Sequence, residues 1–289
     1  MNNLKNDVIS DHKKNSKQKS GICALCLKEK ELCQSHLISK GFYNSIIDKN
    51  KTLKVAEGKA MISGGTGQLT AKLLCQQCEN HFSRWEKIVI GDSYQHQNQK
   101  FPLLDKALNA KSKHEITVYP DSFMIFTNEV PEIDWKTYIL FSLSIFWRCS
   151  AVVNCGDLKT YCNKALGPYQ EIIRNLLLMD NSSLPNQMFL AVSLHNDSLN
   201  PLNIIAQPTV KRYHGYHVHE FFVPNMRICL FVGKILPEEF VQLQKENDSF
   251  PILVTNLAHS RYGVQISSRF TNAVQTFKLR EYLKSEGYS

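Results

Sequence analysis

The rhythm of apolar and polar positions changes several times along the 289 residues, and each change predicts an element. Residues 1–20 are lysine-rich with almost no apolar side chains. Such a segment buries too little surface to offset chain entropy, so a disordered basic tail is expected. Residues 49–68 contain Gly58, Gly64, Gly65 and Gly67 and read as a hairpin or a mobile loop. Phe82, Trp85 and Val89 share one stripe at helical spacing, which predicts a helix opening near residue 78. Beyond residue 90, segments 115–119 and 123–127 read as strands joined by a turn at Pro120 and Asp121. Residues 135–153 are strongly apolar and predict a buried helix, and 158–179 a second, more amphipathic one. Segments 188–195, 203–206, 217–223 and 228–232 read as strands, several nearly continuous in apolar residues. A short helix is expected at 237–243 and a C-terminal one at 272–285. The expected fold is α+β: a small module over residues 21–90, then a larger mixed α+β domain over 91–289.

Composition narrows the class. Hydrophobic residues make up 43% and charged residues 21%, as in soluble globular proteins. No apolar run approaches the roughly 20 residues that cross a bilayer. Residues 1–20 carry no apolar leader, so a cytoplasmic protein without a membrane partner is expected. The net charge of +8 is unevenly placed: residues 1–90 hold 15 Lys or Arg against 8 Asp or Glu, whereas residues 91–289 hold 19 against 18. That excess favours a polyanionic partner, although lysine-rich tails also simply aid solubility.

Nine cysteines in a chain expected in a reducing compartment point to metal binding or burial rather than pairing. Cys23 with Cys26, and Cys75 with Cys78, form two CxxC knuckles. Each knuckle can aim two thiolates at one ion, and two knuckles complete a tetrahedral Zn–S4 site. Four thiolates on one Zn²⁺ would lower the local positive excess by about two charges. A knuckle, a long insertion, then a knuckle opening a helix is the treble-clef order, so a structural zinc is expected. Cys33 is a rival ligand without a CxxC partner. Cys149, Cys155, Cys162 and Cys229 read as small buried hydrophobes. The glycines at 64, 65 and 67 lack the Lys-Ser/Thr pair of a phosphate-binding loop.

Residues 21–90 resemble HNH-type endonucleases of the CxxC-bearing branch. The resemblance lies in Ser35, His36, Leu37 and Ile38 after the first knuckle, and in Leu74 through Glu79 around the second. It implies a ββα-metal-like module in which His36 is the general base that takes a proton from the attacking water. Glu79 stands where the family has a metal-binding His, and its carboxylate suits Mg²⁺ or Mn²⁺. Ser35 stands where the family has an acidic or His ligand, and Thr70 roughly where it has the Asn that orients the His-bearing hairpin. Glu86, one heptad beyond Glu79, could supply the missing carboxylate, and Asn80 or His81 could also reach the site. The plainer alternatives remain open: a packing or capping role for His36, a dipole-favoured first-turn carboxylate for Glu79, and a solvated charge for Glu86.

The resemblance thus implies a metal-dependent endonuclease acting on nucleic acid, DNA rather than RNA, of the kind found in anti-phage or toxin-type effectors. The alternative is a non-catalytic zinc module that grips nucleic acid or protein. Residues 91–289 would choose the target, bind a protein partner or self-associate. Within them, His217 and His219 share one strand face and could chelate a metal loosely, or with Lys211 and Arg212 contact nucleic acid. A solvated polar face is the plainer expectation there. Arg148 is expected to meet a carboxylate near the end of its apolar helix.

Overall fold

The computed structural model describes residues 20–44, 52–56, 59–63, 68–93, 101–116, 122–152, 166–196, 204–247 and 250–255. The expected tail over residues 1–19, Cys155, Cys162 and the expected helix 272–285 lie outside them.

Among the described residues, two sheets and six α-helices make up a mixed α+β fold. The smaller sheet has the order β1-β2-β5, from β1 (Ser20–Ile22), β2 (Glu29–His36) and β5 (Thr70–Cys75), all antiparallel. Helix α1 (Lys40–Asn44) follows β2, and helix α2 (Gln76–Ser93) grows directly out of β5. The stripe expected on α2 is present: Phe82, Trp85 and Val89 are all buried.

Between the two knuckles lie β3 (Thr52–Ala56) and β4 (Lys59–Ser63), a hairpin as one of the two readings of that segment. Its destination was not foreseeable. β3 runs parallel to β9 (Ile204–Tyr213), with Leu53 opposite Ile204, and so joins the larger sheet. That sheet has the order β4-β3-β9-β10-β11-β8-β12-β7-β6. Its other strands are β6 (His114–Glu115), β7 (Phe123–Phe126), β8 (Met188–His195), β10 (Tyr216–Val223), β11 (Met226–Gly233) and β12 (Pro251–Thr255).

All eight residues of β8 are buried, which its nearly continuous apolar run anticipates for a strand covered on both faces. One face meets α4 (Trp135–Val152), where Phe146 packs edge-on against Phe221 at 5.0 Å between ring centroids. The other meets α6 (Glu238–Asn247), where Phe240 stacks on Phe189 at 4.7 Å. Helix α4 is the central element, with 16 of its residues buried. It packs against α2 and α5 (Tyr169–Leu178), while α3 (Pro102–Leu108) lies beside α2. One continuous apolar core runs from Cys23 to Val254. Among the described residues no helix is long and apolar enough to cross a membrane.

Two expectations need correcting. The second helix starts at Tyr169 rather than near residue 158 as far as the described residues reach. Gly167 adopts φ +56°, which a continuing helix cannot accept, and Pro168 stands at the N-cap. The histidine strand is not a solvated face. His219 is 3% exposed and lies 6.2 Å from the Phe146 ring, and Glu220 on the opposite face is 2% exposed. Buried Glu220 is held by Lys211 at 2.7 Å and by Arg227; against burial, these two cations keep its carboxyl below the usual range.

Burial, reinforced by the neighbouring His217, pushes His219 down to about 4. Burial and the Arg227 charge push His195, the last residue of β8, down to about 3. Both rings are therefore neutral in the fold, whereas an unfolded histidine takes a proton near pH 6.5. Their neutrality favours the fold fully above that pH, and the benefit is lost progressively as pH falls from 6.5 toward 4. The expected loss is about 2 kcal/mol per histidine between pH 6.5 and 5. In thermal melts across that interval, His219→Phe should flatten the decline in Tm; a decline as steep as the wild type's would remove His219 from the account.

Candidate metal centre

Three chain segments deliver the four sulfurs. The turn between β1 and β2 carries Cys23 and Cys26 and is closed by Cys23 N–H on the Lys28 carbonyl at 3.0 Å and Leu27 N–H on the Cys23 carbonyl at 2.8 Å. Cys75 ends β5, and Cys78 sits in the first turn of α2. A backbone bond from Ala24 N–H to the Leu73 carbonyl, 3.0 Å, docks the first knuckle on β5.

The four Sγ atoms lie within 4.8 Å of one another, with Cys26 and Cys75 at 4.0 Å. A tetrahedral Zn–S4 centre with bonds near 2.3 Å separates its sulfurs by roughly 3.8 Å. The set therefore fits a zinc ion with small adjustments. Three of the four cysteines are buried, and Cys75 N–H donates to Cys23 Sγ at 3.3 Å, a bond that offsets thiolate charge. Burial and the adjoining sulfurs push the Cys78 thiol far up, and burial likewise raises Cys23. For Cys75, burial is outweighed by bonds from the Cys78 backbone and the other thiols, which bring it down to about 7. Without a cation one thiolate, Cys75, discourages ionisation of its neighbours; a dication would favour the thiolate form of all four.

Among the described residues these cysteines are the one group of three or more His, Cys, Asp or Glu side chains whose ligand atoms converge. Cys33 stays outside it, with its Sγ 3.4 Å from the Gln76 side-chain oxygen. Cys149 and Cys229 are buried, as expected of small apolar side chains.

The residues carried by the HNH resemblance fall around this centre as follows. Ser35 is fully buried, and its hydroxyl accepts the Leu74 N–H at 3.2 Å, so it fastens β2 to β5. His36, next along β2, faces the other way. Its Nε2 lies 2.6 Å from the Gln68 side-chain oxygen, so Nε2 carries the hydrogen and Nδ1 the lone pair. Thr70 stands opposite His36 in register, but its hydroxyl accepts from Gln34 at 2.7 Å. Glu79 opens α2 with one buried carboxylate oxygen that has no hydrogen-bond partner among the described residues.

Glu86 is not a solvated charge. Its carboxylate takes Arg148 Nη2 at 2.8 Å, and Arg148 comes from α4 with 1% of its side chain exposed. Asn80 turns to the Gln76 side chain at 2.8 Å. His81 turns to α5, with Nε2 3.1 Å from the Leu177 carbonyl and 3.3 Å from Asp180. Neither joins His36. Sequence reasoning missed Gln68, whose glycine-rich surroundings gave no pattern, and it placed the carboxylate partner of Arg148 without naming it.

Replacing Cys75 and Cys78 together by Ser should abolish binding of about one equivalent of zinc and unfold the small sheet. Metal analysis with circular dichroism tests this, and full zinc retention would overturn the assignment. Leu27 offers a gain instead. It is 57% exposed and held at φ +59°, a left-handed conformation that costs a side-chain-bearing residue about 1 kcal/mol. Leu27→Gly should raise the zinc-loaded Tm by a few degrees; a drop would show that the side chain packs usefully. No family model, no curated protein and no solved structure matches the chain, so what the centre serves must be argued from its residues.

Proposed function

We propose that this chain is a metal-dependent endonuclease of altered HNH type, hydrolysing phosphodiester bonds in nucleic acid, DNA in preference to RNA. The observation that carries the reading is a pair of groups on one zinc-held ββα unit. His36 has its ring anchored to Gln68 through Nε2, and Glu79 has a desolvated carboxylate oxygen lacking a partner among the described residues. Such an oxygen attracts a cation strongly. Mg²⁺ keeps several waters and binds through one or two carboxylates plus substrate phosphate, so a single glutamate is a sufficient protein contribution. A divalent ion there would supply charge stabilisation to the pentacoordinate phosphorus and the leaving oxygen. His36 Nδ1 takes the proton from the attacking water, while Gln68 holds the ring through Nε2. The basic excess of residues 1–90 draws the phosphate backbone toward the same unit. The large sheet and its helices select the target or bind a protein partner, as in a prokaryotic anti-phage or toxin-type effector.

A second reading is favoured by two observations: Ser35 has spent its hydroxyl on Leu74, and Glu86 is neutralised by Arg148. Under it the zinc unit grips nucleic acid without cutting.

Purified protein incubated with plasmid, linear DNA and RNA, in Mg²⁺, Mn²⁺ or EDTA, separates the two. Cleavage should require the divalent ion, and His36→Ala should lower it roughly 10²–10⁴-fold with zinc content unchanged. Glu79→Ala should also raise the Mg²⁺ concentration needed. Undiminished cleavage in both variants would refute the HNH-type site, and binding without cleavage under any ion would establish the second reading.

A further inference from the structure

Only one residue of α4 carries a charge into its buried stretch, and its guanidinium ends on the backbone of His36. Arg148 Nη1 donates to the His36 carbonyl at 2.5 Å. Nη2 donates to Glu86 at 2.8 Å and Nε to the Ser144 carbonyl at 3.4 Å, while the guanidinium lies over the Phe82 ring. The peptide after His36 is pinned from its other end as well, because Leu37 N–H donates to the Leu69 carbonyl at 2.9 Å. With both ends of that peptide plane fixed, the backbone torsion that aims the His36 side chain is fixed too.

We propose that Arg148 is a positioning residue for His36, a strut that locks the base-bearing strand to the helix carrying Glu79. This rests on the reading of His36 as proton acceptor. The geometry gives the strut three distinct ends. Through the His36 carbonyl it holds the end of β2. Through Glu86 it holds α2, two turns beyond Glu79. Through Ser144 it is anchored in α4, whose remaining faces are set by the large sheet and α5. Thr70, opposite His36, is bonded to Gln34 rather than to His36. A guanidinium suits the task, since its planar fork reaches an acceptor on each of two elements, which a lysine ammonium on a single flexible stem does not reproduce. A purely structural ion pair between α2 and α4 would need only the Glu86 contact, not the carbonyl of the one histidine that faces outward from the hairpin.

The strut also places the aim of His36 under the control of α4.

The test compares wild type with Arg148→Lys, Arg148→Met and Glu86→Gln, each checked for zinc content. Imidazole ¹H–¹⁵N spectra of full-length protein read His36 directly. Wild type should show one fixed tautomer with the hydrogen on Nε2, and Arg148→Met an averaged pair of nitrogens. Arg148→Lys and Glu86→Gln should be intermediate. In the cleavage assay kcat should fall about 10- to 100-fold in Arg148→Met with KM for nucleic acid unchanged, the signature of misplacement. If Arg148→Met fails to hold zinc, the Lys and Gln variants carry the same comparison. An unaltered His36 spectrum in zinc-loaded variants would overturn the strut. A wild type that never cleaves would refute the nuclease reading while leaving the spectra to decide the strut.

Discussion

The placing of the β1–β2 turn, β5 and the start of α2 depends on four sulfurs being brought to one point. The segment between the knuckles is long, and the antiparallel pairing of β2 with β5 together with the Ala24–Leu73 backbone bond brings its two ends side by side. With the thiols within 4.8 Å, the β1–β2 turn is pressed on β5 and the first turn of α2 is fixed in direction. His36 and Glu79 then have defined places, one at the end of the hairpin and one at the start of the helix. Zinc in such a module contributes folding free energy rather than chemistry, because unfolded ligands have no preformed site.

The second constraint is the guanidinium buried between three elements. Removing a charge partner inside a protein typically costs roughly 3–5 kcal/mol, whereas an apolar replacement of the whole pair can be neutral. An ion pair in this place is therefore weak support for stability as its purpose and better support for geometry. The same pair explains why α4 and α2 pack in one register, with Phe82 edge-on to Trp147 and Ser93 bonded to the Tyr138 hydroxyl at 2.9 Å.

How much of this was legible in the sequence follows from the physics of each part. The knuckles were readable because metal ligation demands fixed local spacing. Helix α4 and strand β8 were readable because burial on most sides demands a predominantly apolar run. The orientation of Ser35, His36 and Glu86 was not, since strand register and helix packing decide which partner each side chain meets. Glu86 illustrates this: an exposed-looking charge in a polar stretch met an arginine 62 positions away. His219 fails in the opposite sense, because alternation in a polar, histidine-rich strand predicted water on a face that α4 covers. Gln68 was hidden by its glycine-rich neighbourhood, where no periodicity exists to read. The pairing of β3 with β9 had no local signature at all.

That pairing shapes how the chain reaches its fold. Leu53 and Ile204 are roughly 150 positions apart, yet their strands are adjacent and parallel, while the second knuckle lies between them in the chain. The ends of the insertion are drawn together by cysteines, and its tip is claimed by a sheet edge made much later in synthesis. Such non-local strand pairing is slow, because a long loop must close before any contact rewards it. During translation the cysteine knuckles can close as soon as Cys78 has emerged, leaving the β3–β4 hairpin as an unpaired edge until β9 arrives. In that interval the exposed strand is a site for mispairing with other nascent chains.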